Sequence, residues 1–120
     1  MQSVKTKIYH NPRCSKSRES FNFLTDAGLD FSTVEYLKTP INKAELEDIL
    51  KKLGIKASQL VRKSEAIYKE LYKDKTLQEK EWIDAMLTHP KLIQRPIIVH
   101  GDKAVIGRPI EQVIELLQTK

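Results

Sequence analysis

Cysteine occurs once in the 120 residues, at position 14, so no disulfide can close within the chain. The lone thiol and an N-terminus without the apolar core or cleavage site of a signal peptide point to a reducing, cytoplasmic setting. No apolar run approaches the roughly 20 residues that span a bilayer, so no membrane helix is expected. Glycine occurs four times and proline five, without clustering, and neither a linker, a repeat nor a low-complexity segment is visible. One domain over residues 1–120 is therefore expected. Charge of one sign does not dominate either: 21 Lys and Arg against 16 Asp and Glu leave +5. That balance suits an acidic partner or an anionic substrate. The cations are interleaved with carboxylates, as in "KAELEDILKK", which is the pattern of a solvated helix face, and specific nucleic-acid binding is not expected.

What is present divides into three parts. "VKTKIY" at 4–9 alternates as a strand does, and Asn11-Pro12 breaks it before a helix that starts at Ser15 and stops at Gly28. Phe21, Leu24 and Ala27, with Phe23, mark the expected inner face. "DFSTVEY" at 30–36 reads as a second strand closed by Thr39-Pro40. A helical stretch follows over about 41–90, read as an insertion. Asn42 and Glu45 have capping-box spacing ahead of Leu46, Ile49, Leu50 and Leu53, and Gly54 supplies the stop. Residues 57–89 continue as helix without a strand: Ile67 pairs with Leu71, and Trp82, Ile83, Met86 and Leu87 form a stripe capped by Thr76 and Glu79. "PIIVHGDKAVI" predicts a hairpin turning at Gly101-Asp102, and Pro109 opens a last helix with Ile110, Val113, Ile114 and Leu117 on one face. The order is βαβ, helices, ββα: an α/β fold whose mixed sheet is flanked by helices.

Cys14 falls where the first strand gives way to the first helix. A lone cysteine is ordinarily a small buried hydrophobe, but a helix N-terminus presents free N–H groups and the positive end of the dipole, and both lower a thiol's pKa. Arg13, Lys16 and Arg18 add positive charge nearby. His10, four residues earlier, could support the thiolate as an imidazolium or accept its proton as an imidazole. Ser17 stands where a dithiol motif carries its second cysteine; its hydroxyl can donate to a thiolate but cannot resolve a disulfide. Arg62, Arg95 and Arg108 stand apart from the scattered lysines, and two of them occur as "RP" at segment boundaries. Guanidinium forks bind tetrahedral oxyanions in bidentate fashion, so a thiolate with several arginines suits attack on a phosphate-like centre.

Over nearly its whole length the chain resembles the glutaredoxin-coupled arsenate reductase family, of thioredoxin-like fold. "IYHNPRCSKSRE" carries that family's His-x3-Cys-x3-Arg pattern, "VEYLKTP" and "LVRKSEAIYKEL" resemble its middle, and "HPKLIQRPIIV" and "GRPIEQVIELL" its end. The resemblance implies that Cys14 is the nucleophile and His10 the histidine that helps lower its pKa. Arg62, Arg95 and Arg108 then hold arsenate, with Arg18 and Ser17 in support, and Pro96 is the cis-proline opposite the thiol. It also implies glutathione as co-substrate, glutaredoxin as partner, and neither a bound cofactor nor a metal. The chain stops soon after the last helix, as the short chromosomal members do.

Two rivals follow from the same residues. An Spx-like regulator that binds RNA polymerase usually carries Cys-x-x-Cys, where this chain has Cys14-Ser15-Lys16-Ser17. A general glutathione-dependent thiol oxidoreductase would need Cys14 but has little use for three arginines.

Overall fold

A computed structural model describes residues 5–118. The described chain forms two compact units: an α/β unit made of the residues up to Thr39 and those from Arg95 onward, and a helical unit, Pro40–Gln94, that lies between those halves in sequence.

The α/β unit contains a four-stranded mixed sheet in the order β2-β1-β3-β4. Strand β1 is Thr6–Tyr9, β2 Ser32–Val34, β3 Ile97–His100 and β4 Lys103–Ile106. Strand β1 runs parallel to β2 and antiparallel to β3, and β3 and β4 form the expected hairpin with Gly101 at φ +67° in its turn. The strand expected from Val4, a residue outside those described, is seen from Thr6. Strand β2 is shorter than the 30–36 stretch, because the N–H groups of Lys38 and Thr39 both bond the Glu35 carbonyl (2.9 and 2.8 Å) and turn the chain.

Helix α1, Ser15–Asp26, ends at the predicted glycine. Gly28 takes φ +71°, its N–H bonds the Thr25 carbonyl at 3.1 Å, and the Leu29 N–H reaches the Leu24 carbonyl at 3.4 Å. That paired closure requires a left-handed residue. The helix's buried stripe is Ser17, Ser20 and Leu24 rather than the phenylalanine set: Phe21 and Phe23 are half-buried and Ala27 is exposed. Both serines find polar partners, described below, which is what permits their burial.

Ile8 and Ile98 sit opposite each other on β1 and β3, so their side chains share a face of the sheet. Leu24 of α1 and Val113 and Leu116 of α6 (Glu111–Gln118) close over them. Burying each such side chain stabilises the unit by roughly 1.5–3 kcal/mol. The expected face of α6 is thus rotated: Leu116 is buried, while Ile110 and Leu117 pack at the edge and Ile114 is half-buried.

The helical unit holds α2 (Lys43–Leu53), α3 (Ala57–Leu60), α4 (Ala66–Leu71), α5 (Glu79–Thr88) and a 3₁₀ turn, Pro90–Leu92. Asn42 caps α2 by accepting the Glu45 N–H at 2.8 Å, and Leu46, Ile49 and Leu50 are buried as predicted. The capping of α5 differs from the prediction. Glu81 accepts the Gln78 N–H at the helix start (2.8 Å), while Glu79 reaches across to the Ala57 N–H of α3 (2.6 Å) and ties two helices together. Trp82, Ile83, Ala85 and Met86 are buried, with the rings of Tyr68 and Tyr72 against Trp82 at 6.2 and 5.9 Å. Leu87 is half-buried and Leu71 is exposed, so the expected Ile67–Leu71 pair is not a core contact. One antiparallel bridge, Val61 to Ile93, interrupts the stretch expected without strand. Among the described residues no helix is long and apolar enough to cross a membrane.

Candidate active site

The loop between β1 and α1 is built around Asn11. Its carbonyl accepts the Cys14 N–H and its side-chain oxygen accepts the Arg13 N–H, both at 3.0 Å, while its own N–H donates to the Ser17 hydroxyl at 3.0 Å. These bonds curl residues 11–14 into a turn that delivers Cys14 to the N-cap of α1, with extended backbone (φ −94°, ψ 124°). Its carbonyl accepts the first helical bond, from the Arg18 N–H at 2.9 Å. In this position a capping oxygen normally receives the second and third N–H groups of the helix, here those of Lys16 and Ser17.

Cys14 is partly exposed, and its sulfur makes no full capping bond. Its pKa nevertheless lies below the ordinary thiol value. Partial burial is the largest single influence and pushes the other way. It is outweighed by the Ser17 N–H, a hydrogen bond from the Arg95 side chain, the Lys16 N–H and the Arg95 charge. Of the cations expected to act on the thiol, Arg13, Lys16 and Arg18 are all exposed, and Arg18 donates instead to the Pro12 carbonyl (2.9 Å), bracing the loop. The cation that acts is Arg95, eighty-one positions further along the sequence and placed by the start of β3.

His10 is buried, 6% exposed, and stacks on Phe21 with centroids 4.9 Å apart. Its Nδ1 is 2.6 Å from the Ser17 hydroxyl, so the ring addresses Ser17 rather than the sulfur. Burial lowers the pKa of His10, Glu35 partly restores it and Arg18 lowers it further, so the neutral ring is favoured. With a neutral ring whose Nδ1 accepts, Ser17 donates to His10 while receiving the Asn11 N–H; this buried pair fixes the first turn of α1 under the thiol.

The remaining predicted residues are placed as follows. The Arg95-Pro96 bond is cis, and so is Arg108-Pro109. Arg108 is half-buried, and its guanidinium has no hydrogen bond or ion pair among the described residues. Arg62 belongs to the helical unit. Its N–H bonds the Leu92 carbonyl (2.6 Å) beside the Val61–Ile93 bridge, and its Nε reaches Ser64 at 3.2 Å and Glu65 at 3.6 Å. The Nη1 atom of Arg62 is buried with no hydrogen-bond partner among the described residues. The α/β unit thus assembles Cys14, His10, Ser17, Arg18 and Arg95 around one helix end, seats Pro96 against Gly107, and carries Arg108 on the loop before α6. Among the described residues no group of three His, Cys, Asp or Glu side chains could hold a metal ion. Sequence reasoning missed Asn11, legible there only as half of a breaking Asn-Pro pair, and missed Ser20 and Gly107.

A half-exposed, acidified thiol in contact with a guanidinium is equipped for nucleophilic attack on an oxyanion. Comparison with known proteins is consistent with that chemistry. The family model for ArsC matches residues 9–116. A protein of Escherichia coli strain K12, YfgD, is 52% identical over 113 residues, covering 92% of this chain and 95% of its own. An arsenate reductase of Haemophilus influenzae is 45% identical over 112 residues, covering 92% and 97%. Among solved structures, the arsenate reductase from Vibrio cholerae superposes with a TM-score of 0.88 at 40% identity, covering 95% of this chain and 98% of that one.

Proposed function

The chain belongs to the ArsC family, and we propose that it reduces arsenate to arsenite, with Cys14 as nucleophile and glutathione and glutaredoxin as reductants in the cytoplasm. The observation that carries this reading is the contact of an acidified Cys14 with Arg95 at the N-terminus of α1. The thiolate attacks As(V), an As–S bond forms, and an oxygen of the arsenate leaves as water. Glutathione then attacks the sulfur of Cys14; the As–S bond breaks with its electron pair left on arsenic, which becomes As(III) and departs as arsenite. The two electrons come from two thiols, now joined as a mixed disulfide between Cys14 and glutathione. Glutaredoxin takes the glutathione off, a step made necessary because Ser15 and Ser17 offer no second thiol.

Arg62, Arg95 and Arg108 are assigned to the oxyanion. The Nη1 of Arg62 and the guanidinium of Arg108, neither with a partner among the described residues, support this, since such donors fit a ligand that supplies acceptors. Arg18 and Ser17 support the loop and the first helical turn, and Pro96 follows Arg95 into β3. Incubation of the purified protein with arsenate, glutathione, glutaredoxin, glutathione reductase and NADPH tests the proposal. Arsenite should accumulate in proportion to NADPH consumed, and a Cys14→Ser variant should give none. NADPH oxidation without arsenite, or no turnover at all, would overturn it.

A further inference from the structure

The fold spends an unusual contact on Gly107. This residue is buried, its N–H donates to the Pro96 carbonyl at 2.8 Å, and its carbonyl faces the Ser20 hydroxyl of α1 at 3.5 Å. Its φ is not in the left-handed region, so the backbone does not demand glycine there. Space does. A Cβ at position 107 would stand 2.7 Å from Ser20 Oγ, 2.9 Å from Ile98 Cδ1 and 2.9 Å from Pro96 Cγ, all shorter than real contacts of that kind. The proline ring cannot swing aside, and Ile98 and Ser20 are both fully buried.

We propose that Gly107 is a positioning residue: it seats the loop before α6 on Pro96 and Ser20, and so aims Arg108 at the oxyanion held by Cys14. The inference rests on the proposed function and extends it to a residue that touches no substrate. Arg95 and Arg108 respond differently to this joint. Arg95 leads directly into β3, whose register against β1 and β4 holds it independently. Arg108 follows Gly107 immediately and has no side-chain partner among the described residues, so a shift at 107 passes to Arg108.

The test is Gly107→Ala, alone and combined with Arg108→Ala, assayed for arsenate reduction with glutathione and glutaredoxin and for Cys14 alkylation by iodoacetamide against pH. The single variant should raise KM for arsenate and lower kcat/KM about tenfold, while the alkylation midpoint stays at the parent value. In the Arg108→Ala background the same change should cost less than about twofold, because residues acting as a unit are not additive. Full loss persisting in that background, unchanged kinetics in the single variant, or a shifted alkylation midpoint would overturn the inference. If circular dichroism shows that Gly107→Ala does not fold, Ser20→Ala takes its place. It should lower kcat/KM about threefold with the same non-additivity, and is judged by the same outcomes. A parent protein that produces no arsenite overturns the proposed function and this inference with it; an active parent with an indifferent Gly107 overturns the inference alone.

Discussion

Replacing Arg95 with methionine removes the cation that, among the described residues, acts on Cys14, and leaves an unbranched side chain in its place. Arg95 lowers the thiol's pKa in two ways, through a hydrogen bond to the sulfur and through its charge, while the Ser17 and Lys16 N–H groups would remain. A hydrogen bond to a charged partner is worth about 1.5–3 kcal/mol when fully desolvated, and one pKa unit corresponds to about 1.4 kcal/mol. Because Cys14 is partly exposed, water recovers part of the loss, so the effect should lie near the low end of that range and the alkylation midpoint should move up. Below its pKa the thiol would then hold about tenfold less thiolate at a given pH. The assay is the rate of alkylation by iodoacetamide from pH 5 to 10, a neutral reagent whose approach does not depend on the arginine. Arg95→Lys should fall between parent and Arg95→Met, since it keeps the charge and loses the fork. Coincident midpoints for parent and Arg95→Met would refute the reasoning and assign the acidity of Cys14 to the helix end alone.

Three further outcomes are expected. Arg62→Lys, Arg95→Lys and Arg108→Lys should each slow arsenate reduction by roughly ten- to a hundredfold while the protein stays folded, measured as kcat/KM beside a thermal melt; parent-like rates in all three would remove the oxyanion clamp. Leu24→Ala should cost about 2–5 kcal/mol in urea unfolding, since Leu24 is fully buried between Ile8, Ile98, Val113 and Leu116. Stability should fall with acid below about pH 6.5, because His10 has a lowered folded pKa, so the unfolded chain binds the proton more readily. The contribution is present above the unfolded value and lost as pH falls through the folded one. Melts from pH 5 to 7.5 should show a shallower acid slope for His10→Gln than for the parent, and equal slopes would assign the acid limb to other groups.

The sequence disclosed the parts of this protein whose signals are local. Gly28 and Gly54 stop their helices, Asn42 caps α2, and Gly101 turns the hairpin, because each acts within four or five residues of chain. The junction that holds Cys14 was legible for the same reason. What the sequence hid depends on partners far along the chain. Ser17 and Ser20 lie outside the apolar face that the sequence marks on α1, yet with Leu24 they form its buried stripe because His10, Asn11 and Gly107 meet them. Glu79 looks like a cap for its own helix and caps α3 instead. Arg13, Lys16 and Arg18 are close to Cys14 in sequence, but Arg95 acts on it, since a strand start outranks sequence proximity in placing a side chain.

These placements bear on how charge is handled in the proposed reaction. His10 is held neutral by burial and bonded to Ser17, so its part is to fix the turn whose N–H groups face the sulfur. The thiolate is then stabilised mainly by neutral backbone dipoles and by Arg95, a group also proposed for the oxyanion clamp. Before substrate arrives, Arg95 serves the thiolate; as the As–S bond forms, the sulfur gives up its negative charge and the guanidinium is released to the arsenate oxygens. An imidazolium beside the sulfur would have lowered the thiol's pKa as well, but it could not transfer its support with the same planar fork. Stabilisation carried by Arg95 therefore shifts toward the oxyanion as the bond forms, and it is stabilisation gained in the transition state rather than the ground state that raises kcat.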